Sequence, residues 1–453
     1  MLLPNVPVAL LCLLLAALWV AGGASREDVA GQMVVRLVAG LVLIVAVLFG
    51  PRPKWERIAP VGWLTLAALS LACVQLIPLP PGVWQALPGR GFFNQADVLA
   101  GSPASWRPLT LVPGATINAA LSLIVPIAAL WLIAATDRRQ HDHLLNALLI
   151  AASCMALAGL LQMSGMRMSN PFVNDTIGQP SGMFANRNHF ALFLAVGCLL
   201  APVWAFRQQR RATWRAPVAL GLVVLLVLTT LGAGSRVGVA LSALALLLGL
   251  LLVWREIREA SERLPRWAFP AIVAAVVLIV ATFAITSIAA DRAAAFDRLF
   301  AGGVGDDMRL RGLPTVLSII ATYFPAGTGL GSFDPIFRMH EPFALLKPTY
   351  FNHAHNDLLE VVLTAGLPGL LLIVAAVGWW VWASVRTWRR AGQGHMLPRL
   401  GSAILLLVLA ASVFDYPART PMFMAVIVLA GAWLAMPESD RLGSALPRRG
   451  QHL

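Results

Sequence analysis

The densest group of reactive side chains is the run 350–360 (YFNHAHNDLLE), which supplies His353, His355, Asn356, Asp357 and Glu360 in eight residues. It is followed at once by an apolar stretch, so the cluster sits at the start of a membrane helix. The partial positive charge of a helix start disfavours an imidazolium there, which suits His355 to accepting a proton; a nearby phosphate would act in the opposite direction. Asn356 and Asp357 also read as helix caps. Glu360 falls one turn inside the apolar run, where an ionisable group is a functional candidate that could equally serve to orient a neighbour.

The second group consists of arginines. Arg187 lies in 182–190 (GMFANRNHF) at the start of an apolar run, and Arg236 in 234–238 (GSRVG) between two apolar runs. Arg309 and Arg311 open a stretch at 308–323 with apolar residues at helical spacing. Any one of these reads plainly as an interfacial side chain snorkelling or in an ion pair. Together at one membrane edge they suggest an anion clamp, and the bidentate guanidinium fork suits phosphate.

The elements that must position these groups are membrane helices. The 453 residues are 58% hydrophobic and only 12% charged, against ~25% charged for a typical soluble domain. About a dozen apolar runs approach the ~20 residues needed to cross a bilayer core: 6–24, 35–50, 61–79, 116–136, 144–165, 189–206, 216–232, 237–254, 267–289, 357–384, 400–414 and 421–437. This excludes a soluble enzyme, a disulfide scaffold and a disordered chain, and predicts an all-α polytopic membrane protein of about twelve spans.

The expected organisation is nine spans over 1–289, a large and partly helical loop over 290–356, three spans over 357–437 and a tail over 438–453. The loop helix breaks at Pro325 and the glycine-rich turn 327–331.

Basic residues set the orientation. Arg52, Lys54, Arg57, Arg138, Arg139, Arg207, Arg210, Arg211, Arg215, Arg255, Arg258, Arg263, Arg266, Arg386, Arg389, Arg390, Arg399, Arg441, Arg448 and Arg449 lie in one set of mostly short connections, which places both termini in the cytoplasm. The reactive groups then face outward. The segment 21–24 (AGGA) looks like a cleavage site, but no Lys or Arg precedes Arg26, so the first span is expected to be retained.

The formal charge of +13 is spread between apolar runs, with no single basic patch, and gives no sign of nucleic-acid binding. Cys12, Cys73, Cys154 and Cys198 lie inside apolar runs without ligand spacing. The spacing of His141 and His143 suits a metal, but beside Arg138 and Arg139 they read as a solvated polar loop. Asp306 and Asp307 read as a cap. No DxD, HExxH, CxxC or P-loop occurs, which leaves no recognisable means of using ATP.

With these residues in place, the chain resembles the O-antigen ligase and polymerase superfamily of bacterial envelope membrane proteins. His355-Asn356, nine residues, Gly366, two residues and Gly369 fit the ligase-type signature completely. Arg309 with Leu313 matches the Arg-x3-Leu element, although Pro314 stands near where many members have Trp, which leaves the Arg309/Arg311 register open. The turn at 324–333 looks like the Pro-x-Gly-x-Gly element. Residues 182–188 and Ser235-Arg236 fill two further positions.

The resemblance implies a GT-C-like glycosyltransferase in the bacterial inner membrane, with its active site on the periplasmic face and no cofactor or metal. The donor would be a glycan on undecaprenyl diphosphate, and the acceptor a hydroxyl of lipid A–core or another glycan. On that reading His355 is the base, and Arg187, Arg236 and Arg309, with Arg311 as the alternative third arginine, hold the diphosphate. Asn186, Asn188, His353, Asn356 and Glu360 orient their neighbours. Polymerase and protein O-oligosaccharyltransferase chemistry would use the same parts. A lipid-linked glycan transporter or flippase would more often carry its charges near the bilayer midplane.

Overall fold

A computed structural model of the chain describes residues 6–102, 105–137, 140–166, 169–174, 179–206, 214–262, 308–346, 351–390 and 396–436, with isolated positions between 265 and 285. The span expected at 267–289 lies almost wholly outside the described residues. Arg138, Arg139, Arg207, Arg210, Arg211, Asp306, Asp307, the 290–307 part of the loop and the tail at 438–453 also lie outside them.

The described chain opens with helices α1 Val6–Ala21, α2 Ala30–Phe49 and α3 Ala59–Gln75. A short outlying segment follows, with β1 Pro78–Leu79, α4 Pro81–Gln85, α5 Gly91–Leu99 and β2 Arg107–Pro108. Next come α6 Pro113–Ser122, α7 Ile124–Ala135, α8 His141–Met163, α9 Arg187–Phe206, α10 Arg215–Ala233, α11 Arg236–Leu252 and α12 Trp254–Ser261. After the undescribed stretch lie α13 Met308–Tyr323, α14 Phe333–His340, α15 Asp357–Trp388, α16 Met396–Ser412 and α17 Pro421–Ala435.

Among the described residues the architecture is helical apart from one two-residue antiparallel pairing, Pro78 opposite Pro108 and Leu79 opposite Arg107. Six described helices are long and apolar enough to cross a bilayer: Ala30–Phe49, Pro113–Ala135, His141–Met163, Arg187–Phe206, Arg215–Ala233 and Asp357–Trp388. Arg236–Leu252 and Trp254–Ala260 meet that test as a pair bent by 68°. Helices α1, α3, α16 and α17 are apolar but shorter.

Helix α9 is apolar on every side and buried along nearly its whole length, as a helix surrounded by others must be. It packs against α8, α10, α11 and α16. His141 departs from its expected solvated state. It opens α8 with its ring buried; Nδ1 accepts the Trp433 indole N–H at 2.9 Å and Nε2 lies 3.4 Å from Thr136 Oγ1. It is a packed core histidine because α17 brings an indole donor against it.

Two local devices fix the end of the bundle where the reactive groups gather. In the first, α15 breaks at Gly366 (φ 59°, ψ −145°), a conformation that glycine adopts without steric cost. The glycine-rich turn fills the break: Thr328 N donates to Leu363 O (3.1 Å), Gly329 N to Thr364 O (2.7 Å), and Leu367 N to Pro325 O (2.9 Å). Gln75 of α3 closes the joint, donating to Thr364 O (3.1 Å) and accepting from Leu330 N (2.8 Å). A side chain at Gly366 or Gly327 would collide with the facing backbone.

In the second device, a small core of Val316, Ile319, Tyr323, Phe333, Ile336, Phe337, Leu345, Phe351 and Leu363 ties α13 and α14 to the start of α15. Phe333 stacks on Phe337 (5.3 Å) and Phe337 on Phe351 (5.2 Å), whose ring receives His355 edge-on at 5.7 Å. Such pairs contribute ~0.5–1.5 kcal/mol each beyond their burial and prefer fixed geometries, so the row aims the His355 ring.

Candidate active site

Asp415 is the hub of the site. It lies in the connection 413–420 between α16 and α17 and is 2% exposed. Its Oδ2 accepts Asn186 Nδ2 (3.0 Å) and Asn188 Nδ2 (2.6 Å), with Arg309 NH2 at 3.4 Å. Its Oδ1 faces His355 Nδ1 (3.2 Å), the Tyr416 backbone N–H (3.1 Å) and, further off, His189 Nε2 (3.8 Å). Burial alone would raise the Asp415 carboxyl. The His355 hydrogen bond, the Arg309 guanidinium and, when protonated, the rings of His189 and His355 outweigh burial and hold it well below the ordinary carboxylate range.

The local reasons for this convergence are legible. Asn186 precedes α9, and its Oδ1 accepts the Asn188 N–H at 2.8 Å. Asn188 Oδ1 accepts Ser235 Oγ (2.8 Å), while Ser235 caps α11 through the Gly238 N–H (3.0 Å). Helix α10 ends on Gly234 in the left-handed conformation (φ 65°), which turns the chain tightly enough to place Ser235 there. Arg309, in the first turn of α13, also donates to Phe414 O at 3.0 Å.

His355 itself has φ 52°, an uncommon conformation for a residue other than glycine. Asn356 next to it caps α15 through the Leu359 N–H (3.0 Å) and donates to Val413 O (2.9 Å). Because a carboxylate can only accept, the neutral His355 ring carries its proton on Nδ1 and presents Nε2 as a base. Nε2 takes no hydrogen bond from any described residue, and the side chain is 21% exposed.

A second network lies beside the first. His353 Nδ1 is 3.0 Å from Glu360 Oε1, whose partner Oε2 accepts the Ala354 N–H (2.8 Å). Arg419 bridges Glu360 (3.2 Å) and Asp357 (3.4 Å). Asp357 is not the cap expected of it: Asn356 takes that place, and Asp357 Oδ2 accepts Ser412 Oγ (3.0 Å) and the Ala418 N–H (3.1 Å). Tyr416 separates the two networks, its ring 4.2 Å from His353, 5.0 Å from His355 and 5.0 Å from His189. Burial, then the neighbouring Asp415 charge, pushes the Tyr416 phenol up, so it serves as a neutral partition.

The expected site residues therefore divide. His355, Arg309, Asn186 and Asn188 meet at Asp415. His353 and Glu360 form their own pair, and Glu360 orients His353 rather than His355. Arg187 and Arg236 each adjoin the Asn188–Ser235 contact in sequence, Arg187 half-buried and Arg236 exposed. Arg311 is exposed and donates to Ala344 O at 3.1 Å, placing Arg309 rather than Arg311 at the hub.

Sequence reasoning missed Asp415, Arg419, Tyr416 and His189. Asp415 and Arg419, like Arg236, lie in a short connection between apolar runs, a weak signal that singles out neither of them. Among the described residues, no three His, Cys, Asp or Glu side chains form a group that could hold a metal ion.

Residues 221–374 match the family model described as O-antigen ligase. No curated protein matches the chain. The matched stretch contains Ser235, Arg236, Arg309, the glycine-rich turn, His355 and the Gly366–Gly369 signature, while Asn186 to Asn188 and Asp415 lie outside it. Over that stretch, about a third of its length, the chain is similar to the O-antigen ligase family, which supports a place in that superfamily.

Proposed function

We propose that the protein transfers a glycan from undecaprenyl diphosphate to an acceptor hydroxyl, lipid A–core in the ligase case, at the periplasmic face of the inner membrane. The family consists of glycosyltransferase-like enzymes of O-antigen and lipopolysaccharide synthesis. The observation that carries the reading is the His355–Asp415 pair, with the base nitrogen open and Arg309 on the same carboxylate.

A sugar hydroxyl is a weak nucleophile. His355 Nε2 removes its proton as attack on the anomeric carbon develops, typically worth ~10²–10⁴-fold. Asp415 fixes the tautomer and stabilises the imidazolium that forms. The leaving diphosphate needs charge stabilisation, which Arg309 supplies together with Arg187 and Arg236 as preorganised donors. Asn186 and Asn188 hold Asp415 in place. Direct attack inverts the anomeric centre, the donor's own diphosphate bond supplies the driving force, and no metal is required.

The test is reconstitution: purified protein with a defined undecaprenyl-diphosphate glycan and, separately, lipid A–core or a second lipid-linked glycan, followed by product identification. Glycosylated lipid A–core is expected. A lengthened lipid-linked glycan would make the protein a polymerase, and movement of intact donor across the bilayer without transfer would make it a flippase.

A further inference from the structure

The reaction above assigns no base function to the second histidine–carboxylate pair. Glu360 is fully buried and holds His353 Nδ1 at 3.0 Å, so the neutral ring carries its proton on Nδ1 and Nε2 is the acceptor. That acceptor already has a partner: Ser25 Oγ at 3.0 Å, from the connection between α1 and α2, 328 residues away in sequence. A serine hydroxyl on an imidazole whose other nitrogen is fixed by a buried carboxylate is the arrangement that makes a weak hydroxyl competent to attack. Both histidines lie against Tyr416, at 4.2 and 5.0 Å, so Ser25 stands beside the pocket of His355 and is itself only half-buried. The two bases differ in one respect. His355 Nε2 is open to an incoming hydroxyl, whereas His353 Nε2 is loaded with one of the protein's own.

We propose that Ser25 is an internal acceptor, glycosylated by the lipid-diphosphate donor when no external hydroxyl occupies the pocket. This rests on the glycan-transfer reading given above. Ser25 Oγ forms a bond to the anomeric carbon, and the bond from that carbon to the diphosphate oxygen breaks. The electron pair leaves with the diphosphate, and the hydroxyl proton passes to His353 Nε2. Glu360 is the positioning residue. The product is a stable O-glycoside, since a serine alkoxide is a far poorer leaving group than a diphosphate, so the modified chain is an end state and not an intermediate.

The test incubates the full-length protein in nanodiscs with an undecaprenyl-diphosphate glycan, with and without lipid A–core, and reads peptide masses. Without acceptor, the peptide containing Ser25 should gain the mass of one glycan. Added lipid A–core should suppress the gain, and Ser25→Ala should carry no adduct. His353→Gln should slow adduct formation by ~10²-fold or more. Transfer to lipid A–core with the Ser25 peptide unmodified in both conditions overturns the proposal and leaves the glycan-transfer reading standing. An adduct on another residue that survives in Ser25→Ala also overturns it. Elongation of a second donor glycan with the Ser25 peptide unmodified likewise overturns the proposal alone. No transfer to lipid A–core, to protein or to a second donor glycan removes the glycan-transfer reading, and this proposal with it.

Discussion

Replacing Asp415 with asparagine keeps the shape of the hub and removes its charge, and the consequences can be worked out donor by donor. One oxygen receives two side-chain amides and sits 3.4 Å from a guanidinium; the other receives the His355 Nδ1–H and the Tyr416 N–H. An asparagine offers one acceptor and one NH2, so whichever way it turns, donors face donors on one side. With the NH2 toward His355, the ring must present its Nδ1 lone pair and move its proton to Nε2, which destroys the base. With the NH2 toward Asn186, Asn188 and Arg309, the site loses the anion that stabilises the imidazolium.

Loss of a general base costs ~10²–10⁴-fold in rate, and a wrong tautomer in a serine-protease triad costs about 10⁴. At ~1.36 kcal/mol per decade this raises the barrier by roughly 3–5 kcal/mol. The assay is transfer to lipid A–core in proteoliposomes with folded protein confirmed by thermal unfolding, and the loss should fall on kcat with little change in KM. A folded Asp415→Asn protein whose kcat stays within about threefold of wild type refutes the role assigned to the pair.

Further outcomes follow from the same geometry. Arg309→Ala should lower transfer by ~10²–10³-fold, the size of losing one preorganised donor, while Arg311→Ala, which among the described residues breaks the contact with Ala344 O, should change it less than threefold; equal effects would remove Arg309 from the clamp. Transfer should survive strong chelation, and a loss restored by Mg²⁺ or Mn²⁺ counts against an arginine-only clamp. Because the folded Asp415 carboxyl is held below its unfolded value of ~3.9, its stabilisation is present above that value and is lost as pH falls through the folded one. The melting difference between wild type and Asp415→Asn should therefore be constant at pH 5–7 and shrink below about pH 4, and a difference that grows on acidification contradicts this. His355→Ala and His355→Asn should both lack transfer, with Asn melting closer to wild type because it tolerates a positive φ better.

The parts of the site carried by one stretch of chain could be read from the sequence, and the parts assembled across it could not. His353, His355 and Asn356 announce themselves by type and spacing at the start of an apolar run. Asp415 does not: its partners stand 60, 106, 227 and 229 residues away, and its own neighbours look like an ordinary polar turn. Arg309 and Arg311 are two residues apart on one helix, so which of them meets the hub depends on how α13 docks, and only tertiary packing decides that. Local chemistry favours Asp357 as a cap, yet Arg419, Ser412 and the Ala418 N–H claim its oxygens. The break in α15 was concealed because Gly366 and Pro368 sit within an apolar run whose hydropathy is that of one continuous span. The fold class followed from composition alone, since membrane helices are specified mainly by length and hydrophobicity.

The backbone sewn into the gap of α15 has a bearing on how substrates reach the pocket. Three main-chain hydrogen bonds and two from Gln75, worth ~0.5–1.5 kcal/mol each, would have to be broken together for α13 to swing outward. The arm that bears Arg309 is thus held at its C-terminal end, and among the described residues the turn at 325–330 offers no hinge there. On the proposed glycan transfer, a substrate would meet this arm already in place, so the geometry around Arg309 is set before binding and not by it.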